Sequence, residues 1–257
     1  MARRTAAPAG RSPLFPFYVI LGIVAVAGVG VLLYQVLGRG GAAALEPVPV
    51  MMNPEDLARV QGISIGQPNA PVEIFEFADF QCPGCAQFAT FVAPLVKERY
   101  VDAGIVRYVY YDFPLTSIHP HAFLASRAGR CANEQDRFWD YHDLLYGRQP
   151  RWASVRNASD IFIDYAGEIG LNRGAFQECL NSDRYALEVT QNLRLGESLG
   201  VQGTPTLFIN GKRLPAVPSF RELEGIIQQE LGTSPAAGAV APGAVPDQTG
   251  RETPGIP

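Results

Sequence analysis

Cys82 and Cys85 stand two residues apart in Asp79-Phe80-Gln81-Cys82-Pro83-Gly84-Cys85. Two thiols at that spacing can exchange electrons as a dithiol/disulfide pair, supply half of a zinc site, or form a plain structural bridge. A zinc site needs a second Cys-x-x-Cys or a His pair at matching spacing. Cys131 and Cys179 are isolated in the sequence, and His119 and His121 lie on a Pro-containing turn without neighbouring cysteines. Redox chemistry is the favoured reading, with no metal.

That chemistry needs one sulfur held as a thiolate. An apolar run (Val72, Ile74, Phe75, Phe77) precedes the pair and an amphipathic run (Phe88, Phe91, Val92, Leu95, Val96) follows it. The pattern reads as strand, tight turn and helix, with the cysteines in the first helical turn. Unpaired backbone N–H groups and the positive end of the helix dipole would stabilise a Cys82 thiolate there. Cys85, one turn further in, would be more buried and able to close a disulfide with Cys82. Pro83 suits the first helical position, and Gly84 adds no side chain to shield the sulfur. Glu76, inside the strand, would be partly desolvated with a raised pKa, able to exchange a proton with Cys85 through a water. A solvent-facing strand position is its bland alternative.

The 257-residue chain holds one medium domain with appendages. Residues 1–13 read as a basic cytoplasmic tail. Residues 14–37 carry no charge and are long enough to cross a bilayer as a helix. Arg3, Arg4 and Arg11 would hold the N-terminus in the cytoplasm. A cleaved signal peptide ending near Ala42-Ala43-Ala44 competes, but its apolar region is usually shorter. The expectation is a single-pass anchor in the cytoplasmic membrane with the catalytic domain outside, where disulfides persist. From Glu46 onward the chain has 17 basic and 25 acidic side chains, net −8, which argues against nucleic acid as a partner.

Residues 38–56 read as a linker and 57–231 as the folded domain. Leu57–Ile65 suggests an edge strand and Val72–Ala78 a central one. Pro83–Tyr100 reads as a helix interrupted near Pro94, and Ile105–Tyr111 as a strand parallel to Val72–Ala78. The pattern is helical from about 117 to 199. Thr206–Ile209 runs into Asn210-Gly211, a strong hairpin signal, and Ser219 caps a final amphipathic helix. Residues 232–257, rich in Ala, Gly and Pro, cannot build a core and read as disordered.

Phe80-Gln81-Cys82-Pro83-Gly84-Cys85, His119-Pro120-His121, Phe138-Trp139-x-Tyr141-His142 and Gly203-Thr204-Pro205-Thr206 together resemble the DsbA-like thiol:disulfide oxidoreductases. The resemblance implies an α/β thioredoxin fold with a helical domain inserted at about 117–199, here preceded by the transmembrane helix. It implies catalytic roles for Cys82 and Cys85, with Pro83 and Gly84 as spacer. It also implies a cis bond at Thr204-Pro205 beside the pair, where an extended substrate could add as a strand. A carboxylate at the position of Glu76 fits the family as well. The family often has His where this chain has Gly84. Cys131 and Cys179 read best as a structural disulfide worth about 4 kcal/mol on the chain-entropy model, with an electron relay or two free thiols as alternatives.

The expected function is an enzyme that forms or exchanges disulfides in unfolded or reduced exported proteins and is reoxidised by a membrane-embedded redox partner. It needs no cofactor. A reductase or isomerase using the same cysteines, or a tethered peptide-binding module on the same scaffold, are the alternatives.

Overall fold

The computed structural model describes residues 15–38, 48–49 and 60–233, with side chains described on 21–33 and 60–232. Met1–Leu45 forms one unit and Glu46–Pro257 another. The expected tail at 1–13 and the expected disordered segment at 232–257 beyond its first two residues, which end a helix, lie outside the described residues, like most of the linker.

Helix α1 spans Phe15–Gly38, 24 residues without a charge. Its described side chains, 21–33, are all exposed. Among the described residues no helix is long and apolar enough to cross a membrane.

The second unit is built on a six-stranded mixed sheet. Its strands are β1 (Val48–Pro49), β2 (Ile63–Ile65), β3 (Val72–Ala78), β4 (Val106–Asp112), β5 (Thr206–Ile209) and β6 (Lys212–Arg213), in the order β1-β6-β5-β3-β4-β2. Strand β3 is central because it is apolar on both faces. It pairs parallel with β4, Ile74 opposite Tyr108 and Glu76 opposite Tyr110, and antiparallel with β5. The hairpin between β5 and β6 turns on Asn210 (φ 46°) and Gly211 (φ 78°), the two positive angles a type I′ turn requires.

Between β3 and β4 the chain forms α2 (Pro83–Phe91), α3 (Ala93–Val96) and a π-helical turn (Lys97–Val101). The break falls at Val92, ahead of Pro94, whose ring cannot continue the hydrogen-bond ladder. Between β4 and β5 lie α4 (Ala122–Asn133), α5 (Phe138–Gly147), α6 (Gln149–Trp152), α7 (Ser159–Glu168), α8 (Arg173–Asn181) and α9 (Ala186–Ser198). A final helix, α10 (Phe220–Thr233), begins with a capping box: the Ser219 backbone N–H donates to Glu222 and the Glu222 N–H donates to Ser219 Oγ.

Two cores sandwich the sheet. On one face Ala78, Tyr110 and Cys85 pack with Phe138, Tyr141, Leu145, Trp152 and Phe162 of the helical layer. On the other, Phe75, Phe77, Tyr111 and Phe208 pack with Leu195 and Leu199. Helix α9 therefore serves the opposite face from α4–α8, and the layer that stands apart ends before it. A methyl at Gly196 would lie 2.5 Å from the Phe113 ring, so α9 reaches the sheet only because that residue is glycine. Arg130 of α4 fastens the two layers together. Its Nε donates to Asp112 Oδ2 at 2.7 Å and its Nη2 to Asn192 Oδ1 at 3.0 Å, all in the interior. A disulfide joins Cys131 of α4 to Cys179 of α8, with Cα atoms 5.8 Å apart.

Candidate active site

The turn from β3 into α2 brings the two free cysteines to the end of the sheet. Cys82 is the N-cap of α2, with extended backbone (φ −73°, ψ 124°), so only Cys85 lies within the helix. Pro83 takes the first helical position, where its missing N–H costs no hydrogen bond. The loop carrying Thr204-Pro205, a cis peptide, faces them. The Cys82 thiol donates to the Thr204 carbonyl at 3.3 Å.

The two sulfurs sit in unequal surroundings. Cys85 is fully buried, while Cys82 retains 9% of its surface. Cys82 is thus almost covered, although Gly84 adds no side chain to shield it. A Cβ at Gly84 would lie 3.5 Å from Pro205 Cδ and 3.7 Å from Cys82 Sγ, which shows how closely the proline loop covers the pair.

The thiol of Cys82 is lowered from 9.0 to about 5. The largest cause is the Cys85 thiol, which donates a hydrogen bond to the Cys82 thiolate; burial opposes it. The Thr204 side chain and the backbone N–H groups of Cys85 and Gly84 add to the lowering. The helix start expected to do most of this work is therefore an auxiliary. In the thiol form Cys82 donates to the Thr204 carbonyl. In the thiolate form that donor is gone, and the Thr204 hydroxyl, buried without a hydrogen-bond partner, can supply one. Cys85 moves the other way: burial, the bond to Cys82 and the charges of Cys82 and Glu76 push its thiol well above the usual range.

Glu76 lies on β3 on the same face, 1% exposed. It is not a solvent-facing strand residue. Burial raises its carboxyl to about 7, against the hydrogen bond donated by the Tyr108 hydroxyl to Oε2. Its Oε1 has no hydrogen-bond partner.

Several residues that hold the turn had no local signal in the sequence. Asp79, fully buried, accepts from the backbone N–H groups of Gln81 (2.7 Å) and Leu115 (2.8 Å), and its Oδ2 lies 2.7 Å from His119 Nδ1. Gln81 donates to the Ala153 carbonyl and accepts from the His121 N–H. Gln149 Nε2, from α6, donates to the carbonyls of Phe80 at 2.7 Å and Cys82 at 3.0 Å. The helical layer therefore clamps the redox turn from outside. His119 and His121 belong to that clamp, in keeping with the loop role expected for them. Among the described residues no group of three His, Cys, Asp or Glu side chains could hold a metal ion.

Known proteins match this arrangement. A family model described as thioredoxin matches residues 58–229. The probable disulfide bond formation protein D of Bacillus anthracis is 31% identical over 174 residues, which cover 65% of this chain and 77% of that protein. A Na(+)/H(+) antiporter of Salinispora tropica is 40% identical over 148 residues, 58% of this chain. This chain covers only 21% of that antiporter, so the shared part is a small portion of it. Among solved structures, oxidised BdbD of Bacillus subtilis superposes with a TM-score of 0.63 at 23% identity, covering 73% of this chain and 99% of that one. DsbA of Chlamydia trachomatis gives 0.58 at 24% identity, covering 65% and 89%. At these identities the structural likeness speaks for the fold alone.

Proposed function

The chain belongs to the thioredoxin family, and from that premise we propose that it is a membrane-anchored thiol:disulfide oxidoreductase that forms disulfides in exported proteins. The observation that carries the reading is the unequal treatment of two sulfurs two residues apart. Cys82 is lowered to about 5 and partly reachable, while Cys85 is raised and sealed. A stable Cys82 thiolate favours the reduced dithiol, and a pair that prefers to be reduced is an oxidant. The names of the Bacillus relatives point the same way.

The steps follow from the geometry. In the oxidised protein a substrate thiolate attacks Cys82 Sγ, the sulfur with access. The Cys82–Cys85 bond breaks, a mixed disulfide forms between substrate and Cys82, and Cys85 leaves as a thiolate. Cys85 takes a proton from Glu76, whose raised pKa keeps that proton available near neutrality. A second substrate thiolate attacks the substrate sulfur of the mixed disulfide. The substrate departs with a new disulfide, and Cys82 departs as the stabilised thiolate. Two electrons now rest on the pair, and a membrane-embedded redox partner removes them. Thr204, touching Cys82, and Pro205 beside it form the wall against which an extended substrate would lie. Reduced or unfolded exported proteins fit as substrates because their thiols can be brought to a sulfur that keeps only 9% of its residue's surface. The uncharged run at 14–37 and the arginines ahead of it in the sequence are what support an anchor with the domain outside the cytoplasm.

The test is the reduction potential of Cys82/Cys85 against glutathione, measured on the full chain. The expected value lies nearer the about −120 mV of strong periplasmic oxidants than the about −270 mV of thioredoxin. A thioredoxin-like value would make the protein a reductant. Absence of any glutathione-dependent exchange would leave only a peptide-binding scaffold. Retention of the chain in membranes after an alkaline wash tests the anchor.

A further inference from the structure

Glu76 must lose and regain a proton in every cycle of the exchange proposed above, and this inference rests on that reading. The carboxyl has no surface of its own to do so. Its neighbours are Cys85 and Cys82 from the redox turn, Tyr108 and Tyr110 from β4, and Tyr146 from α5. All three phenols are held well above their usual range by burial and stay neutral. Of these three, Tyr108 donates a hydrogen bond to Glu76, while the Tyr110 and Tyr146 hydroxyls bond each other.

The Tyr108 ring also lines a cleft of roughly 190 Å³. The cleft runs between α2–α3 with the π-helical turn on one side and α5 on the other. Ala89 and Ala93 form part of one wall, Trp139 and His142 part of the other. Cys82, Cys85, Thr204 and Pro205 do not line it. At its rim stand Lys97, paired with Asp102 at 3.2 Å, and Glu98, Asp140 and Asp143. His142, which lines the cleft, has a buried Nε2 without a hydrogen-bond partner, and so has the Oε1 of Glu76, the carboxyl that Tyr108 bonds. The other ring nitrogen of His142, Nδ1, lies 2.9 Å from Asp143 Oδ1 at the rim. A buried polar atom without a partner is costly, and one in the wall of the cleft, with a second on the carboxyl bonded by the cleft residue Tyr108, marks it as a path for hydrogen-bonding solvent.

The geometry points to this cleft as the proton port of the redox pair, in which solvent protons reach Glu76 through the Tyr108 hydroxyl, and His142 lines the route. The cycle balances. The Cys85 thiolate takes the Glu76 proton and leaves a carboxylate. The Tyr108 hydroxyl passes its proton to that carboxylate and receives another from a cleft water, which is replenished from bulk solvent. On reoxidation the same route runs outward. Substrate thus occupies the Cys82 opening while protons use another, so a bound polypeptide does not block proton traffic. His142 and Tyr108 act here as positioning residues, since neither touches the substrate or the sulfurs.

Two substitutions in the full chain separate this route from a structural role. Ala93→Trp places an indole in the cleft and leaves the Tyr108–Glu76 bond in place. Tyr108→Phe removes the relay hydroxyl and leaves the cleft open. Reduction by a dithiol peptide puts two protons into solvent and returns one through Glu76; rapid mixing with a pH-indicator dye, in H2O and D2O, follows the net release of one proton and resolves the uptake phase that returns the other, alongside the pH profile of Cys82 alkylation. Each variant is expected to slow proton uptake about tenfold, to enlarge the solvent isotope effect, and to leave the alkylation midpoint near that of the parent. Ala93→Leu, a smaller plug, serves if the indole prevents folding. A folded plug variant with parental proton uptake between pH 6 and 8 overturns the port while leaving the exchange reading intact. A parent chain that exchanges no disulfide overturns both.

Discussion

The protein holds two cysteine pairs, and they have opposite fates. Cys131 and Cys179 lie 48 residues apart in sequence, are almost equally buried within the helical layer, and are joined to each other. Cys82 and Cys85 lie two apart at the end of a strand, one partly open and one sealed. Both cysteines of the first pair pack in the apolar core of the helical layer. In the second pair one sulfur donates to the other, a buried carboxyl lies beneath them, and a loop covers them. Thiols become reactive through asymmetry: a difference in proton affinity between two sulfurs is what makes one a nucleophile and the other its reserve. Equal burial makes a staple.

The largest test of that contrast is to remove one sulfur from each pair. Cys82→Ser should reduce disulfide exchange at least about a thousandfold while leaving the thermal midpoint nearly unchanged. Replacing Cys131 and Cys179 together by serine should do the reverse. Closing a loop across 48 residues stabilises by about 4 kcal/mol on the chain-entropy model, and denaturant unfolding should register a loss of that order. Exchange rates under folding conditions should stay within about twofold, since neither reacting sulfur takes part in that bridge. If the double variant instead lost exchange without losing stability, the second pair would be a relay.

Glu76→Gln tests the carboxyl beneath the reactive pair. Exchange should slow about tenfold because the Cys85 proton has lost its nearest store. Stability should respond with a definite sign. The folded pKa of Glu76, about 7, lies above the ordinary 4.5, so the unfolded chain ionises first. Its stabilising contribution is complete below about 4.5 and is lost as the pH rises through about 7. Glu76→Gln should therefore flatten the decline of stability across that window, read from urea midpoints at pH 5 and pH 8. Cys82 has the reverse sign. Its folded pKa is depressed, so the stability it lends the reduced protein is present above about 9 and lost as the pH falls through about 5. Reduced protein carrying Glu76→Gln should thus gain stability from pH 5 to pH 8 relative to its parent.

Much of this contrast could be read before any coordinates. The cysteine spacing, the apolar central strand, Asn210-Gly211 and Thr204-Pro205 are local signals, and local signals survive in a linear string. The clamp around the redox turn could not be read. Gln149 meets the Phe80 and Cys82 carbonyls across 69 and 67 residues, and nothing near Gln149 marks it. Asp79 reads as a turn residue until His119 is seen beside it, 40 positions on. The same limit explains α9: its periodicity identifies a helix, but only Gly196 against Phe113 reveals which face of the sheet it covers. It also explains the source of the Cys82 shift. A helix start is visible in sequence, whereas a hydrogen bond from Cys85 depends on how the turn seats the two sulfurs.

Gln149→Ala measures the clamp. The Phe80 carbonyl loses the Gln149 donor and the Cys82 carbonyl is left with the Ala86 N–H alone, and the cost should be about 1–2 kcal/mol of stability. Because both carbonyls belong to the redox turn, exchange should slow about threefold to fivefold at the same time. The equivalent loss at the other pair, Arg127→Ala, removes donors to the carbonyls of Leu180 and Ser182 next to Cys179. It should lower stability by a similar amount without affecting exchange. Equal kinetic effects from both variants would mean that the clamp acts only through global stability.

The finest test lies between the cysteines themselves. Where related sequences often place histidine, this chain has Gly84, and a Cβ there would meet Pro205, Cys82 Sγ and the Thr204 carbonyl at ordinary contact distances. Gly84→His should therefore fold. Its imidazolium would favour the Cys82 thiolate, yet the thiol is already lowered to about 5 chiefly by Cys85. The added charge would sit at the opening, where water and salt screen it. A rise in reduction potential of about 15 mV, roughly a threefold change in the glutathione equilibrium, is expected. The rise should shrink with added salt, because the new interaction is a surface one while the bond from Cys85 is not. A shift of a hundredfold or more would mean that Cys82 is barely stabilised in the parent. The asymmetry that separates the reactive pair from the staple would then have to come from burial alone.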